Sequence, residues 1–353
     1  MITAKGYAAQ SATTPLAPFS FARRDPGPRD VAIAIEYCGV CHTDIHQTRN
    51  DWGRSLFPMV PGHEIIGRVT AVGAEVTKFA PGERAGVGCM VDSCRTCANC
   101  LDGEEQYCLS RATFTYNSAD PKSGGQTYGG YSNVIVVDEA FALKISPKLD
   151  PAAAAPLLCA GITTYSPLRH WNAGPGKRVG VVGLGGLGHM ALQFARSFGA
   201  HVVQFTTSPS KAAGAMRLGA HEVVLLKDPQ ALKDSKAMEA RMGTLDLIVD
   251  TVSAPHEVNP LLLTLRRNGV MVLVGLPNEE PRVAPGSLIF ARRSLAGSLI
   301  GGIRQTQEML DYCAEHGIAS EIERIPIAKI NEAYERMIKS DVKFRFVIDM
   351  STL

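Results

Sequence analysis

Large and small side chains alternate along the apolar run within Asp30 to Tyr37, and Ile65–Val72 is dense in β-branched residues. Pro81-Gly82-Glu83-Arg84 makes a turn before a further apolar run, Ala85–Val91, and Tyr131–Val137 follows a stretch rich in glycine. Many short strands divided by Gly and Pro predict a small β barrel or sandwich. Between Pro147 and Pro156 the pattern turns Ala-rich and helical, which places a domain boundary at residue 150.

A different rhythm follows. Arg178–Val182 reads as a buried strand, then comes a glycine turn and a helix. Further strands are predicted at His201–Ser208, Glu222–Leu226, Asp246–Thr251, Val270–Gly275 and Leu295–Ile300, with helices near Met238, Leu262 and Phe290. Such alternation predicts an α/β fold with a doubly wound parallel sheet over residues 151–303. The tail, 304–353, carries helices at Thr306–His316 and Ile330–Lys339 and a strand at Lys343–Asp349, and is expected to pack back onto the first domain.

Composition narrows the possibilities. At 353 residues the chain exceeds one core, and 45% hydrophobic content is ample for two. A formal charge of +2 without a long basic run gives no reason to expect nucleic acid or a membrane surface as partner. Met1–Tyr7 lacks the apolar core of a signal peptide and no apolar run is long enough for a bilayer, so a cytoplasmic location is expected. In that compartment nine cysteines point to metal rather than disulfides, and the odd count argues against full pairing.

The chemistry is concentrated between Glu36 and Gly67, where Cys41, Thr43, Asp44, His46, His63 and Glu64 lie close together in sequence. Thiolate and imidazole suit zinc, and a catalytic zinc keeps three protein ligands and one open position. Cys41 and His63 supply two of these, and Cys159 in Leu157-Leu158-Cys159-Ala160-Gly161 is read as the third. Taken singly, the cysteines could be buried apolar thiols.

A second cluster, Cys94, Cys97, Cys100 and Cys108, lies in a lobe at about 92–110. This spacing lets one loop wrap a tetrahedral ion in a closed structural site, which contributes folding free energy and not catalysis. A disulfide pair or an iron–sulfur cluster are the alternatives. A nucleic-acid-binding ribbon would need basic surroundings, whereas Asp92, Asp102, Glu104 and Glu105 surround the cysteines.

Gly183-Leu184-Gly185-Gly186-Leu187-Gly188, between a strand and a helix, is a dinucleotide-binding turn in which Gly183 allows the bend, Gly185 lets backbone N–H groups approach a pyrophosphate and Gly188 lets the helix pack. No Asp or Glu occurs between Gly183 and Glu222 to bind a free ribose 2′-OH. Thr206, Thr207, Ser208 and Lys211 instead suit a 2′-phosphate, so NADP(H) is expected over NAD(H).

With these residues assembled, the chain resembles a zinc-dependent medium-chain alcohol dehydrogenase, most closely the cinnamyl-alcohol-dehydrogenase branch of NADP-dependent aldehyde reductases. The resemblance covers nearly the whole length. It rests on Gly39 to His46, Pro61-Gly62-His63-Glu64, the four-cysteine lobe, Leu157 to Tyr165, the glycine turn and Ala296 to Gly301. It implies a GroES-like β-rich catalytic domain, a Rossmann domain, a cleft between them, and a homodimer formed through strands near Leu295 to Ile303. Two zinc ions per chain are implied, one catalytic and one structural.

The same resemblance implies reversible hydride transfer between NADP(H) and primary alcohols or aldehydes. Thr43 would hydrogen-bond the substrate oxygen, His46 would exchange its proton through the nicotinamide ribose, and Asp44 would orient His63. Glu64 would be an alternate ligand or a carboxylate beside the ion. Thr43, Thr163, Leu184, Gly186, Leu187, Thr251, Gly275, Ser298, Leu299 and Ile300 join the cofactor contacts by position, and Trp52, Cys89, Phe114, Leu299 and Ile300 the substrate pocket. Leu299 and Phe114 stand where some plant relatives carry an aromatic residue and Trp, which favours a broad aldehyde reductase over strict cinnamyl specificity. A zinc-free quinone or enoyl reductase of the same fold and a dinucleotide sensor without turnover are the rival readings.

Overall fold

Asp30–Gly39 is the spine of the first unit, pairing antiparallel with Ile65–Val72, Val134–Asp138 and Arg345–Asp349 in a seven-stranded sheet. The computed structural model describes residues 1–226, 236–277 and 279–353. Those residues divide into one unit of Met1–Ile162 with Gly301–Leu353 and another of Thr163–Ile300. From Arg345–Asp349 the first unit's sheet runs outward to Ile322–Pro326 on one side and through Arg84–Val87 to Leu143–Lys144 on the other. The tail thus belongs to the amino-terminal sheet.

The change of unit falls after Ile162, later than the expected boundary at 150. Packing explains the shift. Ala152, Ala154, Ala155, Leu157 and Leu158 are at most 1% exposed and lie against Asp30–Gly39 and Ile65–Val72, so the Ala-rich segment completes the first core.

Several predicted strand boundaries shift. The run Ala85–Val91 splits into Arg84–Val87 and Met90–Asp92, because the Cys89 carbonyl accepts the Thr115 N–H at 3.0 Å and Met90–Asp92 turns to pair with Thr113–Phe114. The strand predicted from Tyr131 begins only at Val134. Gly129, Gly130 and Tyr131 donate instead to the carbonyls of Val60, Gly62 and Pro61 at 2.7–2.9 Å. Those bonds hold the turn that carries His63.

In the second unit the sheet runs Glu222–Leu225, His201–Thr206, Arg178–Val182, Leu245–Asp250, Leu265–Leu273 and Ser294–Gly297, every pair parallel. The inner strands are buried almost continuously, as a parallel sheet covered on both faces requires. Val182, Phe205, Ile248, Leu262 and Met271 lie in its core. Strand order reverses on either side of Arg178–Val182, which makes the carboxyl ends there a ligand crevice. The edge strand ends at Gly297 rather than at Ile300, whose φ of 37° takes it out of the extended region. Among the described residues no helix is long and apolar enough to cross a membrane.

Candidate metal and cofactor sites

Cys41 ends the loop after the central strand and caps the helix His42–Thr48. Asp44 at the third helical position accepts the Cys41 N–H at 2.8 Å, so the start of the helix is locked and the thiol is held over it. Gly62 sits at φ +103°, and a Cβ there would stand 2.7 Å from Tyr131 and 2.8 Å from the Cys38 sulfur, so only glycine makes this turn. His63 and Glu64 follow directly, at the start of Ile65–Val72. Cys159 closes the 3₁₀ turn Ala155–Leu158.

These segments bring ligand atoms of Cys41, His63, Glu64 and Cys159 within 4.8 Å of one another, all buried. The sulfurs of Cys41 and Cys159 are 3.9 Å apart. Two thiolates on a tetrahedral zinc, each about 2.3 Å from it, stand about 3.8 Å apart, so the spacing fits that ion. Asp44 Oδ1 faces His63 Nδ1 at 3.4 Å, which leaves Nε2 as the ligating nitrogen. Asp44 is fully buried and also accepts from Tyr131 Oη at 3.2 Å and the Gly62 N–H at 3.1 Å.

Electrostatics in the cluster favour a cation. The hydrogen bond from Cys159, with Arg345 and His63 nearby, holds the Cys41 thiol well below its ordinary pKa, whereas the neighbouring Cys41 and Cys89 sulfurs push Cys159 up. Burial raises Glu64 to about 7 against the pull of Arg345. One oxygen of Glu64 pairs with Arg345, and the other, Oε2, is buried without a hydrogen-bond partner. An orphaned carboxylate oxygen beside two thiols and an imidazole suits a metal.

Cys94, Cys97, Cys100 and Cys108 converge in the same way, with Cys94 and Cys100 sulfurs 3.9 Å apart. Backbone N–H groups of Cys97, Cys94 and Leu109 donate to the sulfurs of Cys94, Cys108 and Cys97 at 3.4–3.5 Å, which favours thiolates. All nine cysteines are free, which removes the disulfide alternative for the lobe. The lobe is tied down at Ile303, whose N–H donates to Glu105 Oε2 at 3.0 Å, and by Arg95, which pairs with Asp92 at 2.8 Å and Asp138 at 3.0 Å.

Of the remaining residues singled out in the first unit, Thr43 lies half-buried in the first turn of its helix. His46 Nδ1 meets Asp51 Oδ2 at 2.7 Å, and its ring lies against Trp52 with centroids 5.1 Å apart. Cys89 is half-buried near Leu158, and Phe114 is 39% exposed on its short strand.

In the second unit, Gly183 bends the chain at φ +88° after Arg178–Val182, and a Cβ at Gly188 would stand 2.2 Å from the Gly183 carbonyl. Gly185 has open space around it. Leu184, Gly186 and Leu187 complete the loop, and the helix Gly188–Ser197 follows. At the neighbouring strand end Thr206 is buried, Thr207 exposed, and Ser208 N–H donates to Thr206 Oγ1 at 3.2 Å. Lys211 Nζ reaches back to the Leu184 carbonyl at 3.1 Å, which sets a cation at the rim of the glycine loop. Thr251 Oγ1 donates to the Val182 carbonyl at 2.7 Å, and Gly275 lies against Val252. Thr163 is buried, whereas Leu299 is 45% exposed and Ser298 N–H donates to the Leu273 carbonyl at 3.2 Å.

Several participants carry no signal in the sequence. Arg345 comes from the tail, and Tyr116, whose ring stacks on His63 with centroids 5.7 Å apart, comes from a loop with no motif. Tyr131, which donates to Asp44, carries no signal beyond its place at the start of an apolar run. An Arg at the start of the last apolar strand was the one available hint.

Residues 27–147 match the alcohol dehydrogenase GroES-like domain, and residues 186–315 match a zinc-binding dehydrogenase domain. The chain is 55% identical to aldehyde reductase YahK of Escherichia coli (strain K12), over 99% of each. It is 52% identical to NADP-dependent alcohol dehydrogenase C of Mycobacterium tuberculosis, over 100% of each. Among solved structures, cinnamyl alcohol dehydrogenase SbCAD4 of Sorghum bicolor superposes with a TM-score of 0.94 at 44% identity, covering 99% of this chain and 98% of that one. The cinnamyl alcohol dehydrogenase of Helicobacter pylori complexed with NADP(H) gives 0.92 at 40% identity, over 99% of each.

Proposed function

The chain belongs to the zinc-dependent medium-chain alcohol dehydrogenases, in their cinnamyl-alcohol-dehydrogenase-like branch, and from that membership we propose that it works as a broad reductase of aromatic and medium-chain aldehydes. It is an NADP-linked oxidoreductase of alcohols and aldehydes. The observation that carries the proposal is the convergence of Cys41, His63 and Cys159, from three separate segments, at zinc-ligand spacing.

Zinc held there supplies Lewis acidity that polarises a carbonyl oxygen. The bound nicotinamide supplies or accepts the hydride. Around them the protein's own groups divide the work. Asp44 fixes the His63 ring through Nδ1. The Thr43 hydroxyl donates to the substrate oxygen, and His46, anchored on Asp51 through Nδ1, keeps Nε2 to exchange the proton with solvent. General acid–base steps of this kind are worth roughly 10²–10⁴-fold. Glu64, paired with Arg345, would offer its second carboxylate oxygen to the group that holds the ion.

Glycine-loop N–H groups and the amino end of the helix Gly188–Ser197 receive the pyrophosphate. Thr206, Thr207, Ser208 and Lys211 receive the 2′-phosphate, with Thr163, Thr251, Gly275, Ser298, Leu299 and Ile300 as further contacts. Trp52, Cys89 and Phe114 give apolar walls suited to aromatic aldehydes, and Leu299 and Ile300 are kept as substrate-pocket candidates by their place in the family pattern. The four-cysteine lobe holds a second, structural zinc.

The reading extends to a cytoplasmic homodimer. Nine free thiols suit a reducing compartment. The edge strand Ser294–Gly297 follows an exposed Ile289 and Phe290 and has no strand on its outer side among the described residues, which suits pairing with a second copy. The test of the substrate class is kcat/KM for benzaldehyde, hexanal and a series of sugars with NADPH. Benzaldehyde and hexanal should lead, and a preference for sugars would refute the proposal.

A further inference from the structure

Asp44 is fully buried, and both of its carboxylate oxygens are engaged. Oδ2 accepts the Cys41 N–H at 2.8 Å and the Tyr131 hydroxyl at 3.2 Å, while Oδ1 accepts the Gly62 N–H at 3.1 Å and faces His63 Nδ1 at 3.4 Å. A carboxylate offers about four acceptor positions, so these contacts fill it. Cys41, Gly62 and His63 belong to the segments that bear the ligands themselves. Tyr131 does not, and nothing in the mechanism above uses its hydroxyl.

Packing fixes Tyr131 firmly. The residue is fully buried, its N–H donates to the Pro61 carbonyl at 2.9 Å, and its ring stands 2.7 Å from where a Cβ on Gly62 would lie. Backbone and ring thus brace the turn that presents His63, and the hydroxyl reaches the carboxylate that faces the same imidazole. A phenylalanine would fill the same space, so the hydroxyl is there for its bond to Asp44, since a buried hydroxyl is costly without a partner. Burial, with the Asp44 charge beside it, holds the Tyr131 hydroxyl well above its ordinary pKa, so it stays a donor throughout the neutral range.

We propose that Tyr131 is a positioning residue for the metal site: its hydroxyl, acting through Asp44, keeps His63 Nε2 turned toward the Cys41 and Cys159 sulfurs. The inference rests on the zinc reading given above and adds to it a residue that touches neither ligand atoms nor substrate. With the Tyr131 bond made, Oδ2 is held at both of its positions and Oδ1 stays aligned with Nδ1. Without it the carboxylate is free to turn, and the imidazole turns with it. Groups that orient a metal-bound histidine in this way are worth roughly 10- to 100-fold in metal affinity or activity.

The test is chelator competition on zinc-loaded enzyme, with Cys159→Ser and Cys100→Ser used to assign each of the two zinc affinities to its site. Tyr131→Phe removes one oxygen and keeps the ring. It should weaken zinc at Cys41, His63 and Cys159 about tenfold or more and leave zinc in the four-cysteine lobe unchanged. Melting curves report whether each variant is folded. Because Tyr131 acts through Asp44, the same change made on top of Asp44→Ala should add little further loss. Wild-type affinity in folded Tyr131→Phe overturns the proposal, as does equal weakening at both sites, which a general loosening of the fold would give. A full further loss in the Asp44→Ala background also overturns it, by showing another route. A wild type with no zinc at Cys41, His63 and Cys159 would instead overturn the zinc reading, and this inference with it.

Discussion

Arg345 and Glu64, 281 residues apart in the chain, form a buried ion pair, with 3% and 0% of their side chains exposed. The pair joins the last strand to the residue beside His63. Removing one partner of a buried pair leaves an uncompensated charge and costs about 3–5 kcal/mol. Arg345→Leu should lower stability by that order in urea unfolding, and Glu64→Leu combined with Arg345→Leu should recover much of the loss. An Arg345→Leu protein as stable as wild type would show that the pair is not maintained in solution.

The four-cysteine lobe has too little apolar burial to organise itself, with Leu101 70% and Leu109 73% exposed. Its fold is expected to depend on its ion. Cys100→Ser should reduce zinc content from two ions per chain to one, lower the melting temperature, and expose residues 92–110 to proteolysis. Elemental analysis with limited proteolysis checks this.

Lys211 sits at the rim of the glycine loop with its stem partly buried, and burial lowers its pKa. A cation at this place favours a 2′-phosphate over a free hydroxyl. Lys211→Ala should raise KM for NADPH about tenfold and leave KM for NADH nearly unchanged, as expected for loss of one charge-assisted contact. Equal effects on both cofactors would assign Lys211 to the loop rather than to the phosphate.

Asp30, with 4% of its side chain exposed, accepts from Arg24 at 2.9 Å, the Gly27 N–H at 2.7 Å and Lys122 at 3.1 Å. Burial alone would raise its pKa, but these partners lower it from 3.8 to about 2. A carboxylate with a depressed folded pKa stabilises fully above its unfolded value and loses that contribution as pH falls through the folded one. On that linkage Asp30 contributes on the order of 2 kcal/mol at neutral pH, fading between about pH 4 and 2. The stability gap between wild type and Asp30→Asn should therefore close across that window in acid-denaturation curves.

Much of this molecule can be read along the chain, because its signals are local. Strand Ile65–Val72 is found where its β-branched run predicts, and the helices Ile303–His316 and Ile330–Ile338 lie within a few residues of their amphipathic patterns. The four-cysteine lobe and the Gly183 turn depend on spacing within one loop, so sequence shows them directly. Boundaries that depend on packing are less legible. The split at Gly88 and Cys89 follows from a bond to Thr115, and the late start at Val134 follows from bonds to residues 60–62. Arg345 was invisible for a related reason: its role exists only once the tail's strand has paired with Asp30–Gly39.

Aldehyde reduction is expected to depend on one zinc held by Cys41, His63 and Cys159. The most direct measurement combines zinc content with NADPH oxidation by benzaldehyde for the wild type, the chelator-treated enzyme and Cys159→Ser. Chelation should abolish activity and added zinc restore it, and folded Cys159→Ser should carry one fewer zinc and show no turnover. Full-rate reduction by metal-free enzyme, or by Cys159→Ser, would contradict it.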